Sequence, residues 1–157
     1  DACRISCDVE LSFKEKFYVK VTNQEIISAK MAMNNSIFRR HLNGRIFAND
    51  PDVFFLRDDG MKPAIFTWEQ KQLLARINHM FGSVLFVSDN AGAYDDKKVE
   101  LLLDSFKKFD GKVLSAEYSD AKGSGEEIIT IEYEQDGTRK CLAYNTLTGK
   151  YTDAVVD

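Results

Sequence analysis

The sequence predicts an α/β protein in two parts, a parallel βα region followed by a small antiparallel β-sheet. Two observations predict this. Strand-like and helix-like segments alternate three times before Asp110, the order expected of parallel strands joined by crossover helices. From Asp110-Gly111 onward the chain turns to short period-two runs split by turn residues, which read as hairpins. The boundary gives a first part at residues 1–109 and a second at 110–157. A chain of 157 residues is long enough for one domain with a small appendage.

The first strand is "RISCDV", Arg4–Val9. Alternation would place Cys3, Ile5, Cys7 and Val9 on an apolar face and Arg4, Ser6 and Asp8 on the opposite one. After an irregular connection, "ELSFKEKFYVKVT", Asn23 is an N-cap for a helix carrying Ile26, Ile27, Met31, Met33, Ile37, Phe38 and Leu42. Gly44 suits its C-cap. The methionines read as core packing. "RIFA" is the second strand and stops at "NDPD", Asn49–Asp52, because proline cannot donate to a central ladder. "VFFLRDDG" continues apolar and then breaks. Thr67 and Gln70 have capping-box spacing and open a helix that ends at Gly82. "SVLFV" is a β-rich run of the kind buried on both faces, stopping at Ser88–Asn90. "DDKKVELLLDSFKKF" is a third helix, with acids first and lysines last to match the macrodipole. Three or four antiparallel strands follow, in the runs "KVLSAEYS", "EEIITIEYE", "TRKCLAYNT" and "GKYTDAVV".

Composition excludes several classes of function. A net charge of −4 gives no basic field for nucleic acid or an anionic membrane. No apolar run reaches the roughly 18 residues of a membrane span, and the N-terminus lacks a signal-peptide layout. Three cysteines do not make a disulfide framework. Cys3 and Cys7 would lie about 13 Å apart on one strand, beyond disulfide reach. Cys141 is distant in sequence, and with two histidines a zinc site is not expected. Buried free thiols in a reducing, cytoplasmic setting are the expectation. His41 and His79 lie near helix ends and carry no chemistry. No cofactor or metal is expected.

Each of the three early strands ends in acid: Asp8, then Asp50 and Asp52, then Asp89. Ligands of parallel α/β proteins sit at the carboxyl ends of strands. Acid–base work on a neutral polar substrate follows, and glycoside hydrolysis, which uses two carboxyl groups, is the natural candidate. A metal site made of the same acids is the competitor, although no EF-hand or other metal spacing is present.

"RISCDV", "NNSIFRRHLNGRIFANDPDVFFLR" and "LFVSDN", in this order, resemble the C-terminal half of bacterial α-galactosidases of the melibiase type, retaining glycoside hydrolases of family 36 and its relatives. The resemblance covers residues 3–110, and the trailing sheet fits the small β-domain of that family. It implies that the strands are the last three βα units of a (β/α)8 barrel. It further implies that Asp8 is the general acid/base, that Arg4 contacts substrate, and that Asp52 and Val53 edge the galactose site. Asn49 and Asp50 hold the turn, and Asp89 stabilises the last loop. Phe13 stands where relatives often carry tryptophan. The nucleophilic aspartate of such enzymes sits on an earlier strand, so the resemblance implies a C-terminal portion that is inactive alone, with the remainder of the barrel as its partner. Open strand edges would invite a homodimer.

A competing reading is a non-catalytic carbohydrate-binding or assembly module working through Tyr118, Tyr133, Tyr144 and Tyr151.

Overall fold

The computed structural model describes residues 1–9, 28–58, 65–121 and 126–156. The Asn23 cap, Ile26, Ile27 and Phe13 lie outside these residues. Two compact units are present, Asp1–Lys108 and Phe109–Asp157.

In the first unit, β1 (Ala2–Arg4) pairs in parallel with β2 (Ala48–Asp50), and β3 (Val53–Phe54) pairs in parallel with β4 (Phe86–Val87). Three helices accompany them: α1 (Ala29–Phe38), α2 (Trp68–Phe81) and α3 (Asp96–Phe106). Ser28 caps α1, its hydroxyl accepting from the Met31 N–H at 3.2 Å. The helix stops at Phe38 and a 3-10 turn, Arg40–Leu42, follows. On α2 the reciprocal Thr67–Gln70 capping box is complete. Thr67→Ala is therefore expected to lower stability by about 1 kcal/mol. Fluorescence of Trp68, the chain's one tryptophan, would follow the denaturant midpoint, and an unchanged midpoint would make the box dispensable. Met33, Ile37, Phe54, Leu56, Phe66, Leu73, Leu74, Ile77 and Phe81 are buried, each contributing about 1.5–3 kcal/mol by leaving water.

The last three βα units of a (β/α)8 barrel are not what forms, which corrects the sequence expectation. The parallel strands are two or three residues long and belong to two separate two-stranded sheets. "RISCDV" leaves its ladder early: β1 ends at Arg4, and the last ladder-like bond is Ile5 N–H to the Asp50 carbonyl at 2.9 Å. Pro51 has no N–H, and Asp52 is left-handed at φ 74, so β2 and β3 cannot run on as one strand. "SVLFV" yields only Phe86–Val87, and Phe86 is 50% exposed, so this run is not buried on both faces. The architecture is mixed α/β, with three helices, two small parallel pairs and a four-stranded antiparallel sheet among the described residues.

Gly82, at the end of α2, is required by crowding. A Cβ there would lie 2.7 Å from the Asn78 carbonyl oxygen and 2.9 Å from the Pro51 ring. The Asn49 carbonyl accepts from the N–H groups of Ser83 and Val84 at 2.9 and 3.2 Å. The end of α2 thus packs onto the "NDPD" turn and helps fix it.

The second unit is a sheet of order β5-β6-β7-β8: Lys112–Ala121, Glu126–Gln135, Thr138–Asn145 and Tyr151–Val155. Asp136 and Gly137 close the β6–β7 hairpin, both left-handed at φ 52 and 70, as a primed two-residue turn needs. Ile129 opposite Tyr144 and Ile131 opposite Leu142 are buried cross-strand pairs. A register shift between Val113 and Ser115 interrupts β5.

Candidate functional site

Arg4 closes β1 with Asp50 as its register partner. Its guanidinium bridges two carboxylates, those of Asp8 and Asp52. Residues from "RISCD" and "NDPD", distant in sequence, therefore form one ion cluster. Burial opposes the charge on Arg4, but Asp52 and Asp8 outweigh it and hold the guanidinium above its ordinary value.

Exposure separates the two acids. The Asp8 side chain is 68% exposed and that of Asp52 only 15%. Asp52 is committed: besides Arg4, its carboxylate accepts the Val9 N–H at 2.8 Å. Its own N–H donates to the Asp50 carboxylate at 2.9 Å, so Asp50 holds the turn. Asn49 does so through its backbone alone: its N–H donates to the Asn43 side chain at 2.9 Å. The buried Asn49 amide itself has no partner among the described residues. Val53 follows on β3, partly exposed and on the face opposite buried Phe54.

Two further ties fix the loop carrying Asp8. The Ser6 hydroxyl donates to the Pro51 carbonyl at 2.9 Å, and Arg39 donates to the Ile5 carbonyl at 2.9 Å. Chemically, the cluster offers one solvent-facing carboxyl joined through a single cation to an inward one. Sequence reasoning missed the role of Arg39. Its place in the last turns of a helix gave no sign that it would reach a carbonyl far upstream.

Asp89 is structural. Its fully buried carboxylate accepts the N–H groups of Leu56 and Arg57 and the Tyr94 hydroxyl, and pairs with Arg57 at 3.0 Å. Burial, and then Asp89, push the Tyr94 hydroxyl far above its ordinary value.

A second charged cluster was not read from the sequence. Lys98, nearly buried, meets Asp58 at 2.8 Å and Asp95 at 3.0 Å. Lys71, also nearly buried, donates to the Arg57 carbonyl at 2.6 Å and lies 3.7 Å from Asp58. The hydrogen bond from Lys98 holds Asp58 below its ordinary value, and the α3 N-cap bond from the Lys98 N–H does the same for Asp95. These acids and lysines satisfy one another.

The three cysteines are free thiols, but Cys3 is exposed and Cys7 and Cys141 partly so; burial was expected. Burial, with Glu132 and Asp153 nearby, raises the Cys141 thiol. Tyr133 and Tyr144 are buried, which reduces the four-tyrosine surface to Tyr118 and partly exposed Tyr151. Among the described residues no group of three or more His, Cys, Asp or Glu is arranged to hold a metal ion. No helix among them is long and apolar enough to cross a membrane.

Comparison with known proteins adds no family assignment. No protein-family model matches the chain, and no curated protein matches it significantly.

Proposed function

We propose that this chain carries the acid/base site of a retaining α-galactosidase acting on terminal α-linked galactose. Asp8 is the general acid/base, protonating the departing glycosidic oxygen and then taking a proton from the incoming water. Arg4, Asp52 and Val53 contact the sugar. The observation that carries this reading is the ion cluster itself. Arg4 joins the exposed carboxyl of Asp8 to Asp52, so the two motifs that resemble the family meet at one place. The free thiols fit a reducing, cytoplasmic setting.

Retaining hydrolysis needs a second carboxylate across the sugar, about 5 Å from the first. Asp52 is a poor candidate, because Arg4 and the Val9 amide occupy its carboxylate. Asp50 is engaged by the Asp52 N–H. In the family that the sequence resembles the nucleophile sits on an earlier barrel strand, and the reading proposed here takes it from there. The 157-residue chain by itself should not turn over an aryl α-galactoside. Turnover that disappears in Asp8→Asn would overturn this assignment.

A further inference from the structure

We propose that Asp50 is a positioning residue of this site, holding Asp52 in the left-handed conformation from which its carboxylate anchors the Val9 amide and Arg4 and so places Asp8. The consequence for catalysis rests on the acid/base reading of Asp8; the geometric coupling does not.

The chain of contacts runs in one direction. Asp50 is anchored by β2: it pairs with Arg4, and its carbonyl accepts the Ile5 N–H at 2.9 Å. From there its carboxylate caps the Asp52 N–H at 2.9 Å. That bond matters because Asp52 has φ 74, a region that side chains other than glycine enter rarely and that needs local support. Asx-type hydrogen bonding two residues along the chain is such a support. In this conformation the Asp52 carboxylate reaches the Val9 N–H at 2.8 Å and the Arg4 guanidinium. Val9 follows Asp8 directly, and residues 6–9 lie beyond the end of β1. With no strand ladder to place it, Asp8 is held upstream by the Ser6 and Arg39 ties and at its own position by the Val9 and Arg4 anchors, the latter pair depending on Asp52 and, one step earlier, on Asp50. Asp50 touches no reacting atom in this scheme.

Amide hydrogen exchange of Val9 and Ile5 in the full 157-residue chain tests the proposal. Asp50→Ala should speed Val9 exchange roughly tenfold, the scale of one hydrogen bond lost from an opening equilibrium. Ile5 exchange should hold, because its partner is the backbone carbonyl of residue 50. Asp50→Asn retains a side-chain oxygen acceptor and should restore Val9 protection. In an Asp52→Gly background, glycine adopts the turn unaided and no carboxylate reaches Val9, so Asp50→Ala should change nothing further. Unchanged Val9 exchange in Asp50→Ala, or an added loss in the Asp52→Gly background, would overturn the proposal. So would Ile5 and Val9 accelerating together, which would mean loss of β1–β2 pairing.

The functional reading fails separately. Absence of α-galactoside hydrolysis in the protein that carries these residues, with the Asp50–Val9 coupling intact, overturns the glycosidase reading and supports the positioning. Hydrolysis without the coupling does the reverse.

Discussion

Asp89→Ala is expected to destabilise the first unit by about 2–6 kcal/mol, the cost of leaving two backbone N–H groups without their acceptor at about 1–3 kcal/mol each. The carboxylate is fully buried and takes four hydrogens: two backbone N–H groups, one phenol and one guanidinium. Alanine would leave the Leu56 and Arg57 amides without that acceptor just beyond β3, and an unmet buried donor costs about 1–3 kcal/mol on its own. The Ser88 N–H to Phe54 carbonyl bond at 3.1 Å and the bond from the Arg57 guanidinium to the Ser88 carbonyl would remain between the two strand ends. Asp89→Asn keeps one acceptor oxygen and should lose less. Denaturant titration followed by Trp68 fluorescence decides it. A loss no larger than the roughly 1 kcal/mol expected of a helix cap would contradict the structural role given to Asp89.

Asp8→Ala should act on the opposite quantity. Hydrolysis of an alkyl α-galactoside by the protein that carries these residues should fall by about 10²–10⁴, the usual share of general acid–base catalysis. Stability should hardly move. The Asp8 side chain is 68% exposed, and exposed ion pairs are worth about 0–1 kcal/mol. Arg4→Lys should also impair the reaction, since an ammonium is a point charge and lacks the planar fork that spans two carboxylates. Equal loss of folding and activity in Asp8→Ala would contradict this division between an outward working acid and an inward supporting one.

Local signals in the sequence were strong where the chemistry is local. The Thr67–Gln70 box opens α2 as the spacing requires, acids lead α3 with Asp95 as its cap, and "QDGT" closes a hairpin because Asp136 and Gly137 accept positive φ. The period-two runs became β5 to β8. The parallel region was misread because the apolar runs that suggested continuous strands carry little ladder. Pro51 and left-handed Asp52 split β2 from β3, and the chain after Ile5 is held through side chains instead of by a neighbouring strand. No periodicity encodes such bonds. Of the four proposed site residues, the structure joins Arg4, Asp8 and Asp52 directly and places Val53 next in the chain. Legible in "NDPD" was that the turn mattered. Which acid faces inward depends on the sign of one φ angle, and that was not legible.

The most direct measurement compares two substrates of the protein that carries these residues, an alkyl and a dinitrophenyl α-galactoside, with and without Asp8→Ala. An alkoxide leaving group needs a proton in the transition state, whereas dinitrophenolate leaves unaided. The expected result is a kcat/KM loss of about 10²–10⁴ for the alkyl substrate and a far smaller one for the dinitrophenyl substrate. Equal losses on both, or no loss on either, would contradict the assignment of Asp8 as the acid/base.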